Sequence, residues 1–149
     1  MKIISSLVAL LFSQSSISCP ALIGTWKSSK EMSMDYNIQL TNIQQKQIDF
    51  LSQILGHLLI TYTENEIIEH EVAAIKVKVN SKESDFIFKK TISKYTITSC
   101  SENTIKLRYK HPYAGKVKTS VTFIDDNTFW ISNNLPNVTM REYFTRVSK

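Results

Sequence analysis

The sequence predicts a mainly β protein, a sandwich or barrel of short antiparallel strands with one α-helix near its N-terminus. Three observations carry this. Period-two alternation of apolar and polar residues recurs from about residue 58 to the end. Only one stretch has helical periodicity. Short polar turns separate the alternating runs. A chain of 149 residues allows one domain. With 42% hydrophobic and 21% charged residues the composition is globular. Three glycines and three prolines leave no collagen-like tract, flexible linker or Gly-rich phosphate loop.

The chain opens with "MKIISSLVALLFSQSSIS", which has the pattern of an export signal. Lys2 precedes an apolar run over residues 3–12, and a small polar tail follows. That run is far shorter than the ~20 residues that span a bilayer. Ser16 and Ser18 form a small-x-small cleavage site, so removal after Ser18 is expected, leaving 19–149 as the mature domain. The protein is therefore expected to be exported, periplasmic or secreted. Cys19 then has two competing uses. It is placed for lipid attachment after a signal, or for a disulfide with Cys100, the only other cysteine, in an oxidising compartment.

"LIGTW", residues 22–26, is short and apolar and opens a strand. Residues 28–40 carry no strong signal. "TNIQQKQIDFLSQILGHL", residues 41–58, is the one predicted helix. Ile43, Gln47, Phe50, Leu51, Ile54, Leu55 and Leu58 follow three-and-four spacing. Thr41 with Gln44, or Asn42 with Gln45, fits a capping box, and Gly56 fits a stop. Its apolar stripe is a face that packs on a core or lids a cavity mouth.

From there the period is two. "LLITYT", "EIIEHEV", "AAIKVKVN", "SDFIFKKT" and "KYTITSC" read as successive strands. In "NTIKLRYKH", Ile105, Leu107 and Tyr109 face one way and Lys106, Arg108 and Lys110 the other. "GKVKTSVTFI" sets Val117, Thr119, Val121 and Phe123 on one side. Asp125-Asp126-Asn127 is turn chemistry. "TFWIS" and "VTMREYFTRV" close the chain.

Charge is uneven within the formal net +5. Residues 19–75 hold three lysines against seven acids, net −4, whereas residues 76–149 hold eleven lysines and three arginines against six acids, net +8. Strand lysines facing outward discourage edge pairing. They also suit an anionic envelope surface as partner. So small an excess does not imply nucleic-acid binding.

No nucleophile, base and orienter stand at legible spacing, and no enzyme activity is expected. His57, His70 and His111 are isolated in sequence. "EHE" at Glu69–Glu71 has no matching ligand pair, so no metal and no cofactor is expected.

Gly24-Thr25-Trp26, at the head of a barrel-sized β domain, resembles the calycin families, lipocalins and fatty-acid-binding proteins. The closest resemblance is to small exported bacterial lipocalin-like proteins of unknown role. The resemblance implies one lipocalin-like antiparallel barrel with its helix after the first strand. It implies that Trp26 corks the closed end, with a cation from the last strand over the indole; Arg146 is the candidate and Arg141 second. It further implies a bound apolar or amphiphilic small molecule. Arg141-Glu142-Tyr143 matches the Arg-x-Tyr by which the fatty-acid-binding group holds a carboxylate, which implies Arg141 and Tyr143 as a polar anchor; both faces of this strand mix polar and apolar residues, so the alternative is that the two point outward or pair with neighbours. Tyr109, Phe123 and Trp130 are expected wall residues, with Ile105, Leu107, Val117 and Val121. The Thr-Asp-Tyr element of lipocalins is missing, and fatty-acid-binding proteins carry two helices and no export signal. The alternative is a filled barrel that acts as an envelope or extracellular interaction module through its basic outer face.

Overall fold

A computed structural model describes residues 18–135 and 137–148. The expected export signal therefore lies outside the described residues, except for Ser18. The order of elements is β1 (Gly24–Ser29), α1 (Lys30–Asn37), α2 (Gln45–Ile54), β2 (Leu59–Tyr62), β3 (Glu66–Glu69), β4 (Ile75–Val79), β5 (Lys82–Phe86), β6 (Thr91–Cys100), β7 (Thr104–His111), β8 (Gly115–Asp125), β9 (Thr128–Leu135) and β10 (Val138–Ser148). Eight strands close into an antiparallel barrel in the order β1-β10-β9-β8-β7-β6-β3-β2, and β4 and β5 form a separate hairpin. That hairpin turns through Asn80 and Ser81, both at positive φ, as a two-residue loop requires.

Alternation decides what fills the barrel. Trp26, Ile60, Tyr62, Ile67, Ile105, Leu107, Val121, Phe123, Phe129 and Phe144 form one buried cluster inside it. Burying each such side chain contributes on the order of 1.5–3 kcal/mol. The lysines and arginine of β7 fall on the opposite face and are exposed.

The helical region holds two helices where the sequence predicts one. The predicted helix is α2, and its start differs from both expected capping boxes. Gln44 is the N-cap, and its backbone N–H donates to Gln47 Oε1 at 2.8 Å. Gly56 ends it at φ +91°, where a Cβ would come 2.9 Å from Lys30 Cβ. Leu51 and Leu55 pack on Val138 and Met140 at the start of β10. Gln53 clasps the backbone of Lys78, donating to its O at 3.1 Å and accepting from its N–H at 2.7 Å. Thus α2 bridges the start of β10 and the β4–β5 hairpin, across the open end.

Helix α1 has a different cause. Strand β1 stops at Ser29, opposite Tyr143, and leaves that edge of β10 beyond it without a strand partner, while the other edge stays paired with β9. Polar side chains of α1 take over. Asn37 Nδ2 donates to Arg141 O at 2.8 Å, and Arg141 N–H donates to Asn37 Oδ1 at 3.0 Å. Tyr143 N–H donates to Ser33 Oγ at 2.9 Å. Ser33 and Asn37 are buried for this purpose, so α1 presents polar residues to the sheet and shows no apolar stripe.

Candidate ligand pocket at the open end of the barrel

The two ends of the barrel differ. At the sealed end, Gly24 adopts φ +135°, a region open essentially only to glycine. Trp26 follows, fully buried, with its Nε1–H donated to Leu22 O at 2.9 Å. Its ring meets Phe129 at 4.6 Å and Phe123 at 5.9 Å between centroids. The Arg146 guanidinium lies 4.0 Å over the indole and donates to the carbonyls of Ala21, Ile23 and Asp126. Burial depresses the guanidinium pKa, and Asp126 partly restores it. Cys19 and Cys100 form a disulfide with Cα atoms 5.6 Å apart, tying the segment before β1 to the end of β6.

At the open end, polar groups enter the same inward-facing rows. Ile105, Leu107, Tyr109 and His111 continue one face of β7, Ile67 and Glu69 one face of β3, and Thr91 and Ser93 one face of β6. The register sets Glu69 opposite Thr91. Glu69 Oε2 accepts from Thr91 Oγ1 at 2.8 Å and lies 3.1 Å from His111 Nε2. His111 Nδ1 accepts two backbone N–H groups, from Tyr113 at 3.1 Å and Ala114 at 3.0 Å. An Nδ1 that accepts carries no proton, so the ring proton sits on Nε2 and is donated to Glu69. Burial pushes the Tyr109 hydroxyl up, and the Glu69 charge adds to this. Tyr62 is shifted the same way and further, again chiefly by burial.

Of these groups Glu69, Thr91 and His111 line the floor of a pocket of about 310 Å³, walled by Leu58, Phe86, Ile87 and Phe88 and rimmed by Lys89 and Tyr113. That volume is at the lower end of small-molecule pockets, roughly 300–1,000 Å³. The hydroxyl of Thr91 is bonded to Glu69, and among the described residues no hydroxyl or thiol is hydrogen-bonded to the His111 imidazole. Among the described residues no group of three or more His, Cys, Asp or Glu side chains could hold a metal ion.

The expected anchor is not here. Phe144 points into the core, and Glu142 lies on the same face, with Ser28 Oγ donating to its Oε1 at 2.6 Å and Asn133 Nδ2 to its Oε2 at 3.2 Å. Strand parity therefore sets Arg141 and Tyr143 on the outer face. Trp130, between inward Phe129 and Ile131, is outside as well. These three, expected as ligand contacts within the barrel, instead make an external stack. The Arg141 guanidinium lies between the rings of Trp130, at 3.9 Å, and Tyr36, at 4.3 Å, while Tyr143 packs on Tyr36 under α1. Of the other expected wall residues, Phe123 belongs to the apolar core near Trp26, and Tyr109 packs against that core from the half-buried row leading to His111.

In sequence Glu69 and His111 look isolated and Glu142 is only the spacer of Arg-x-Tyr, while Thr91 and Ser93 carry no signal of their own. The phase of alternation was the signal available: His111 is in step with Tyr109, Glu69 with Ile67 and Glu142 with Phe144. No protein-family model matches this chain, and no curated protein does either.

Proposed function

We propose that this protein is an exported, calycin-like carrier that binds a small apolar or amphiphilic molecule at the open end of its barrel, and that it is not an enzyme. The observation that carries the reading is the 310 Å³ pocket, apolar in its walls and polar in its floor, at the end of the barrel opposite the Trp26 plug. The Gly-x-Trp strand, the cation over the indole and a helical segment between β1 and β2 support the calycin relation. Two helices there favour the fatty-acid-binding layout over a one-helix lipocalin-like one. The disulfide supports export, and a sulfur engaged with Cys100 has no valence left for a thioether-linked lipid.

Native mass spectrometry of the protein purified from its own host tests this. A small molecule retained at one per chain is expected, and Leu58→Trp, which fills the pocket, should expel it. Bare wild-type protein, or a ligand that survives the filling substitution, overturns the reading.

A specific feature favours a second reading. A groove of about 540 Å³ on the outer face is lined by Lys106, Arg108 and Lys118 with Thr98, Ser120, Ser132 and Asn134. The register sets Arg108 against Lys118 and Lys110 against Lys116. Like charges directly opposite are destabilising, and an anionic envelope surface relieves them. Salt-sensitive co-sedimentation with anionic vesicles, lost in Arg108→Ser/Lys118→Ser, is the expected outcome. Equal binding to neutral vesicles refutes it.

A further inference from the structure

If the carrier reading holds, the charge at the pocket floor sets the ligand's chemical class. Glu69 is mostly buried, with 22% of its side chain accessible. Its two bonds, from Thr91 and His111, both land on Oε2, so Oε1 has no protein partner among the described residues. His111 does not cancel the charge. Its Nδ1 is occupied as an acceptor by the N–H groups of Tyr113 and Ala114, so the ring is a neutral donor.

The other charged or titratable groups nearby do not cancel it either. Lys89 stands at the exposed rim and forms no ion pair with Glu69. His70 is one residue out of phase and is bonded to Thr61 Oγ1 at 2.7 Å. Glu142 is inside the barrel, but Ser28 and Asn133 already occupy its oxygens. Arg146 is at the sealed end, and Arg141 is outside the barrel. Glu69 thus offers a carboxylate oxygen that no lysine or arginine pairs with among the described residues, beside an apolar wall of Leu58, Phe86 and Phe88. Ser93 is buried on the same face of β6 as Thr91, and its hydroxyl has no partner among the described residues.

We infer that the pocket takes small amphiphiles whose polar end is a protonated amine, bound by Glu69 Oε1, and that it discriminates against carboxylates. An alkyl ammonium stays charged at neutral pH, as a lysine does. It supplies the missing counter-charge as a charge-assisted hydrogen bond. A carboxylate end would instead bring a second negative charge into a poorly solvated site.

The test uses three probes of equal chain length, octylamine, octan-1-ol and octanoate, titrated calorimetrically into the disulfide-bonded protein at neutral pH. Octylamine is expected to bind at least about ten-fold more tightly than octanol, with octanoate weakest. In Glu69→Gln the amine should lose that advantage while octanol affinity stays unchanged, which also shows the pocket intact. Octanoate binding as tightly as octylamine, or amine affinity surviving Glu69→Gln, overturns the inference. Octanol and octylamine binding equally overturns it while leaving the carrier reading in place. Binding of none of the three overturns both. Should Glu69→Gln fail to fold, the ranking of the three probes on the wild-type protein decides the matter alone.

Discussion

The Arg146 guanidinium sits 4.0 Å above the ring of Trp26, two residues paired across β1 and β10. It also bonds Ala21, Ile23 and Asp126, so one side chain joins the plug, the segment before β1 and the β8–β9 turn. Arg146→Ala should therefore lower stability by about 2–3 kcal/mol, combining a cation–π contact with lost charged hydrogen bonds. Arg146→Lys keeps the charge but not the planar fork and should lose more than half of this. Urea titration measures both, and a lysine variant as stable as wild type would refute the fork's role.

The disulfide closes a loop of 81 residues by sequence separation, one of the longer loops the chain offers. Cross-linking so long a loop mainly restricts the unfolded chain. Reduction, or Cys19→Ser with Cys100→Ser, should cost about 2–5 kcal/mol, nearer the upper figure. Equal urea midpoints with and without reductant would contradict this.

Asn37 stands in for a missing strand. Its amide satisfies both the N–H and the C=O of Arg141. Asn37→Ala strands both groups beneath α1 and should cost about 2–4 kcal/mol, from an unpaired-group penalty of ~1–3 kcal/mol each with partial access to water. Asn37→Asp restores only the acceptor and should fall between. Hydrogen exchange at the Arg141 amide reports it directly: fast exchange in the alanine variant, slow in the aspartate one.

The same contact shows why part of the fold was illegible. The barrel was readable because its strands alternate cleanly, as in Ile105, Leu107 and Tyr109. The first strand was readable from Gly24-Thr25-Trp26, whose indole is fully buried. Helix α1 was not, because it is held by Ser33 and Asn37, residues that favour turns when read locally. The pocket failed for a related reason. Glu142 and Glu69 look like wet positions in sequence, and only tertiary donors such as Ser28, Asn133 and Thr91 make their burial tolerable. An interior Arg141 and Tyr143 would require Glu142 outside, and its burial fixes the opposite parity for the whole last strand.

Ser93 has the reverse problem. Its buried hydroxyl has no partner among the described residues, so its desolvation is not offset by a bond there. Ser93→Ala should raise stability by about 1 kcal/mol, an uncommon sign for a core substitution. A loss of similar size in urea titration would show that the hydroxyl is bonded in solution.

Glu142 ties stability to pH. Burial raises its pKa above the ordinary carboxylate range, and Glu69 pushes the same way, while the bonds from Ser28 and Asn133 oppose the shift. A folded value above the unfolded one, about 4.3, means the unfolded chain releases this proton first as pH rises. The group's favourable contribution is therefore complete below about pH 4 and is lost as pH climbs through the raised folded value. Glu142→Gln cannot ionise, and rotation of the Asn133 amide lets it accept from Gln Nε2. The stability of wild type relative to this variant should fall as pH rises from about 4 through neutrality and level off once the folded carboxyl has ionised. Urea midpoints of both proteins across that range test it, and profiles that run parallel would show that Glu142 titrates no differently folded than unfolded.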